Sequence, residues 1–178
     1  MTGTLDARFE SGPAMRLAFN RHYLSAFFEP DSLAVIGATE KPGKPGELVL
    51  ANLLRSQYRG ALYAVNPKYA LVQGTPCFRS VERLPQRVDL AVIATPARSV
   101  AQIVDQCGRS GIRAALVISA APSGEAEKLD REALAGARRH GMRLLGPGCL
   151  GIWRPHVGLN AAFARATPVA GSLRLVSQ

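Results

Sequence analysis

The residues best placed to do chemistry form a run of ten: Gly37-Ala38-Thr39-Glu40-Lys41-Pro42-Gly43-Lys44-Pro45-Gly46. Glycine lets backbone amides approach an anion closely, and a helix starting just beyond adds a favourable dipole. Thr39 adds a hydroxyl, and Lys41 and Lys44 add charge. The chemistry that suits this set is phosphate binding. The run is neither the dinucleotide fingerprint G-x-G-x-x-G nor a Walker A loop, since Ala38 and Thr39 follow Gly37 directly. An ordinary Gly/Pro turn with exposed lysines fits the same residues.

A second short run, Val65-Asn66-Pro67-Lys68-Tyr69, has Asn66 and Lys68 where nicotinamide dinucleotide enzymes carry an acid for the ribose hydroxyls. A cation there favours a phosphorylated ribose or a pyrophosphate; a plain surface lysine is the alternative. Two further runs, Thr95-Pro96-Ala97 and Ser119-Ala120-Ala121-Pro122, are built of small residues that leave room for an adenine or a pantetheine arm. Thr95 also reads as a helix N-cap with Pro96 at the first helical position.

Catalytic constellations are missing from the pattern. His22, His140 and His156 lack metal-ligand spacing. His22 and His140 fall on predicted helices and read as surface histidines, while His156 sits in a loop. No Ser-His-Asp set and no pair of acids stands out. Cys77, Cys107 and Cys149 are odd in number and far apart, so they read as structural thiols, Cys107 in a core. The expected catalytic and metal sets are therefore empty.

Elements that would position these runs are visible as apolar stretches at 33–36, 61–65, 88–94, 114–118 and 142–145. They are almost continuously apolar, as strands covered on both faces must be. Helices are predicted over 16–28, 47–57 and 125–140. Another follows Pro96, with Val100, Ile103, Val104 and Cys107 at i, i+3, i+4, i+7. Leu50, Leu53 and Leu54 give the second helix its apolar face; Leu129 and Ala133 point inward from the last. The order β-α-β-loop-β-α-β-α-β predicts an α/β, Rossmann-type, doubly wound and mostly parallel sheet with helices on both faces. In such a sheet the four runs above all follow strand ends and face one crevice.

The expected organisation is a loose tail over 1–15, a Rossmann domain over 16–165, and a linker with the first strand of a following domain over 166–178. The segment after Leu145 reads as a Gly/Pro-rich loop leading to that strand. The chain has 22 Lys and Arg against 13 Asp and Glu, a formal charge of +9. The arginines are scattered, with no basic run interleaved with aromatics, which favours a solvated basic surface over a nucleic-acid partner. No apolar stretch is long enough to span a bilayer, and the first fifteen residues lack the apolar region of a secretory signal. A reduced, cytoplasmic location is the expectation.

Several of these segments, in order, resemble one family. Leu33-Ala34-Val35-Ile36-Gly37-Ala38-Thr39 with Lys41-Pro42-Gly43-Lys44 is similar to the opening of the coenzyme A (CoA)-binding domain of NDP-forming acyl-CoA synthetases. So are Tyr63-Ala64-Val65-Asn66-Pro67-Lys68, the run from Val88 to Ala97, and Leu144-Leu145-Gly146-Pro147-Gly148-Cys149-Leu150-Gly151. Gly158-Leu159-Asn160-Ala161-Ala162-Phe163 and Leu175-Val176-Ser177-Gln178 continue the series. The family includes ADP-forming acetyl-CoA synthetases and, more distantly, the α subunit of succinyl-CoA synthetase. The same domain opens a group of bacterial protein lysine acetyltransferases.

The resemblance implies a Rossmann domain that holds CoA or acyl-CoA, with downstream ligase or acetyltransferase domains as its partners. It implies that Gly37, Thr39, Glu40, Lys41 and Pro42 line the phosphate turn and that Lys68 contacts a CoA phosphate. It implies that Thr95, Pro96 and Ala97, with Ile118, Ser119 and Ala120, flank the nucleotide and pantetheine. The parent reaction implied is acyl-CoA, ADP and phosphate giving acid, CoA and ATP, through an acyl phosphate and a phosphohistidine on the following domain. This chain departs from the family in carrying Gly148 where Asn is usual. A ligand-sensing domain of an acetyltransferase and a NAD-dependent oxidoreductase are the alternatives; the missing fingerprint and ribose acid count against the latter.

Overall fold

The computed structural model describes residues 24–166 and 169–172. Its centre is a seven-stranded sheet in the order β3-β4-β2-β1-β5-β6-β7. The strands are β1 (Ser32–Ile36), β2 (Ala61–Val65), β3 (Leu71–Val72), β4 (Thr75–Phe78), β5 (Leu90–Ile93), β6 (Ala114–Val117) and β7 (Arg143–Leu145). Every pairing is parallel except the β3/β4 hairpin at one edge. Without β3, the chain winds outward from β1 through β2 to β4, then returns to β5 and winds the other way through β6 to β7. That is the doubly wound order, with its switch point between β1 and β5.

Side-chain alternation splits these apolar strands between two cores. Leu33, Val35, Leu90, Val92, Ala114 and Leu116 face one way, against Phe27 of α1 (Ser25–Phe28) and Val49, Leu50 and Leu53 of α2 (Pro45–Arg55). Ala34, Ile36, Ala91, Ile93, Ala115 and Val117 face the other way, against Val100, Val104 and Cys107 of α3 (Ala97–Arg109) and Ala133 and Ala137 of α4 (Ala126–Arg139). The all-apolar reading of the strands thus holds because both faces are covered. Cys107 is fully buried, and burial pushes its thiol up to about 12.

The structure departs from the sequence-based expectations in several places. Helix α3 begins at Ala97, and Pro96, with ψ 140°, occupies the cap position; Thr95 lies outside the helix and caps nothing. The extended ψ of Pro96 is what moves the start, and Ser99 Oγ donates back to the Pro96 carbonyl at 2.7 Å. Helix α2 starts two residues earlier than expected, with Pro45 in its first turn, and leaves Leu54 41% exposed. The predicted loop after Leu145 contains a hairpin, β8 (Gly151–Arg154) and β9 (Leu159–Ala162), turned by Gly158 in the left-handed region. Ile152, Leu159 and Ala161 join the α2-side core, with β9 packed against α2 and β8 against α1. Asn52 of α2, 3% exposed, holds it by donating to the carbonyls of Ala162 and Ala164, both at 2.8 Å. The loop between β2 and β5 likewise contains β3 and β4.

His140, expected on the surface, is half-buried and bonds Asp105 at 2.9 Å. Its ring lies over Gly108, where a Cβ would come within 2.2 Å of it. His156 is exposed in a 3-10 turn. Of the helix expected over 16–28, the one turn of α1 falls within the described residues. The tail over 1–15, His22 and residues 173–178, where a further strand was expected, lie outside them. Among the described residues, no helix is long and apolar enough to cross a membrane.

Candidate functional site

The crevice at the switch point is assembled by two glycines and a proline. Gly37 ends β1 with φ +92°, which suits glycine. Its N–H donates to the Val65 carbonyl at 2.9 Å, and the Ala94 N–H donates to the Ile36 carbonyl at 2.8 Å. A Cβ on Gly37 would lie 2.8 Å from the Ala94 carbonyl oxygen and 3.0 Å from Thr95 Cγ2. The loops after β1 and β5 therefore touch across the switch point. Pro45 and Gly46 open α2 directly above, and its first turn carries Glu47, whose carboxylate accepts the Gly43 N–H at 3.2 Å.

The β1–α2 loop is tied to the loop after β2. Thr39, 8% exposed, accepts the Lys41 N–H at 3.2 Å and shares a hydrogen bond with the Tyr69 hydroxyl at 3.3 Å. The Asn66 amide donates to the Ala38 carbonyl at 2.8 Å and accepts the Lys68 N–H at 3.0 Å. Lys41, Lys44 and Lys68 are all exposed around this join. Glu40 is engaged elsewhere: its carboxylate accepts the Gln73 N–H at 2.5 Å. Gln73, at the tip of the β3/β4 hairpin, also donates from its side chain to the Glu47 carbonyl at 2.9 Å.

On the far side of the crevice, Ser119 Oγ donates to the Thr95 carbonyl, and the Ser119 carbonyl accepts the Gly148 N–H at 3.0 Å. Ile118 is 5% exposed and its N–H donates to the Ile93 carbonyl at 3.0 Å, so its side chain supports the wall from below. Ala120 is exposed beside it. One polar atom here has no partner: Thr95 Oγ1 is buried with no hydrogen bond. A buried hydroxyl left unpaired costs about 1–3 kcal/mol, and a ligand atom that reached it would recover part of that cost.

Cys149 stands nearby but is unsuited to nucleophilic attack. Its thiol donates to the Val117 carbonyl at 3.3 Å, and burial raises its pKa. Attack needs the thiolate. Among the described residues, no cluster of three or more His, Cys, Asp or Glu could hold a metal.

The residues singled out in the sequence thus come together: Gly37, Thr39, Glu40, Lys41 and Pro42 after β1, Lys68 after β2, Thr95, Pro96 and Ala97 after β5, and Ile118, Ser119 and Ala120 after β6. Those four strands are adjacent in the order β2-β1-β5-β6. Tyr69, the last residue of the second run, had no part assigned to it in the sequence reading, and Gln73 was not anticipated. A tyrosine directly after a lysine, and a glutamine before a turn glycine, carry no local signal of reaching another loop.

Residues 31–155 match the family described as CoA binding domain. The chain belongs to this family. It is 42% identical over 158 residues to the ADP-forming acetate–CoA ligase I of Archaeoglobus fulgidus, covering 87% of this chain and 23% of that protein. To the α subunit of the ADP-forming acetate–CoA ligase I of Pyrococcus furiosus it is 37% identical over 162 residues, covering 87% of this chain and 35% of that one. A solved structure of the dinucleotide-forming acetyl-coenzyme A synthetase 1 of Candidatus Korarchaeum cryptofilum, in complex with phosphate and ADP, superposes with a TM-score of 0.75. It is 37% identical and covers 79% of this chain and 30% of that one. This chain therefore spans about a quarter to a third of the length of these three relatives.

The chain is thus a CoA-binding domain, as the resemblance implied, CoA is the ligand of the family, and ADP-forming acetate–CoA ligases are among the proteins it is similar to. The Rossmann-type architecture agrees with the solved relative. The acetyltransferase alternative is not favoured, since the named relatives are CoA ligases and a CoA synthetase.

Proposed function

We propose that this chain is the domain with which an ADP-forming acyl-CoA synthetase grips the CoA part of its substrate. The parent reaction is acyl-CoA, ADP and phosphate giving acid, CoA and ATP. The CoA-binding unit runs over 16–165, and other domains or subunits of the ligase supply the remaining chemistry. The observation that carries the assignment of the site is the unpartnered Thr95 hydroxyl at the switch point, between two loops that already touch. It is a buried hydrogen-bonding group beside the crevice where a doubly wound sheet takes its ligand.

In this reading the CoA phosphates rest on the amides of the β1–α2 turn, at the start of α2, where the helix dipole favours negative charge. Thr39 and Pro42 shape that turn, Lys41 and Lys68 supply charge-assisted bonds, and Glu40 braces the turn against the β3/β4 hairpin. Thr95, Pro96 and Ala97 border the nucleotide. Ser119 and Ala120 border the pantetheine, with Ile118 as support. The chain's own part is to bind and orient; Cys149, protonated and hydrogen-bonded, carries no acyl group. A cytoplasmic location suits a CoA ligand and three unpaired thiols.

The test is an ATP-formation assay with acetyl-CoA, ADP and phosphate. The complete ligase carrying this domain should form ATP, and the 178-residue chain should form none. ATP formation by this chain alone would overturn the division of labour, and an inactive complete protein would overturn the synthetase assignment.

A further inference from the structure

We infer that Asn66 is a positioning residue that sets both phosphate-facing loops at once, so that Lys68 grips the ligand only while the Asn66 carboxamide is in place. The inference rests on the CoA reading above and deepens it. Asn66 follows β2 directly, and its own N–H donates to the Phe78 carbonyl at the end of β4, at 2.9 Å. Its backbone is thereby fixed by the sheet. The side chain then works in two directions. Nδ2 donates to the Ala38 carbonyl at 2.8 Å, in the loop after β1, and Oδ1 accepts the Lys68 N–H at 3.0 Å, in its own loop.

Both ends of the carboxamide are therefore used, one as donor and one as acceptor. A primary amide offers the pair on two separate atoms of one short side chain, so one end can serve each loop. Pro67 has no N–H, so Lys68 supplies the first backbone donor after Asn66, and the Asn66 side chain takes it. Ala38 is fully buried, so its carbonyl has no water to fall back on. Tyr69, from the same turn, reaches Thr39 of the β1–α2 loop and makes the join double. Lys68 itself is exposed and its placement comes from this turn. A lysine on a loose turn must be ordered at the moment of binding, which weakens what its charge contributes.

The test is a double-mutant cycle, which separates action through Lys68 from general damage. CoA is titrated by calorimetry into the 178-residue chain, Asn66→Ala, Lys68→Ala and the double variant, each checked by thermal melting. We expect Asn66→Ala alone to weaken CoA about tenfold or more, and to weaken it at least about threefold less when Lys68 is already Ala. Should Asn66→Ala fail to fold, Asn66→Leu, of similar size but with neither a donor for Ala38 nor an acceptor for the Lys68 N–H, takes its place in the cycle. The same factor in both backgrounds, or no loss of affinity in a folded Asn66 variant, overturns the inference while leaving the CoA reading intact. A wild-type chain that does not bind CoA removes the reading and the inference together.

Discussion

A methyl group on Gly46 would lie 2.0 Å from the carbonyl oxygen of Gly37. Nine residues apart, these two glycines let the first turn of α2 sit directly on the end of β1. This contact fixes the start of α2 against the end of β1, and with it both ends of the β1–α2 loop.

Gly46→Ala should therefore be severe although alanine is the better helix former. The clash is with backbone, so either α2 or the β1 end must move, at a cost of about 1–3 kcal/mol or more. That is a fall in Tm of roughly 2–12 °C for a domain of this size. CoA affinity should fall with it. Gly171→Ala, which meets nothing within 4 Å, is the control and should change neither. Thermal melts of both variants check this; an unperturbed Gly46→Ala would mean the two glycines are not in this contact.

Thr95→Val separates stability from binding. The variant removes a buried hydroxyl that has no partner, so the ligand-free chain should be as stable as wild type or about 1 kcal/mol more stable. The same variant should bind CoA about three- to tenfold more weakly, the worth of one hydrogen bond. Urea titration and calorimetry give the two numbers. Lower stability with unchanged affinity would assign the hydroxyl to the fold instead of the ligand.

Asp105 should give the chain part of its acid sensitivity. Hydrogen bonds from His140 above all, then Arg109 and Arg139, hold its carboxyl well below the usual carboxylate range. A depressed folded-state pKa contributes stability that is fully present above the unfolded value of about 3.9. That contribution is lost as pH falls from there through the folded value. Asp105→Asn should thus be less stable than wild type between about pH 5 and 7, with the gap closing below about pH 4. Urea midpoints across this range would show it. A gap that stays constant to low pH would mean that the ionised carboxylate is not what stabilises.

Much of this was legible in the residues. Continuous apolar runs reported a sheet covered on both sides, and the ends of the first four marked the loops of the crevice. What stayed hidden was carried by long-range contacts. The β8/β9 hairpin looked like a Gly/Pro loop because its alternation, with Ile152, Leu159 and Ala161 inward, is interrupted by Pro155 and Gly158 at its turn. Thr95 read as a cap because threonine before proline usually is one; the extended Pro96 moved the helix start and left the hydroxyl unpartnered. His140 read as a surface residue because nothing local announces that Gly108 on another helix makes room for its ring. The part of Asn66 is of the same kind: the Asn-Pro pair signals a turn, but its bond to Ala38 spans 28 residues.

The most direct measurement is calorimetric titration of the 178-residue chain with CoA and, separately, with NAD. Lys68, in place of a ribose-binding acid, and the lack of the dinucleotide fingerprint predict saturable binding of CoA and none of NAD. At about 100 times its dissociation constant, CoA should stabilise the fold by roughly 2.7 kcal/mol in a parallel melt. Binding of NAD without binding of CoA would contradict the account at its centre.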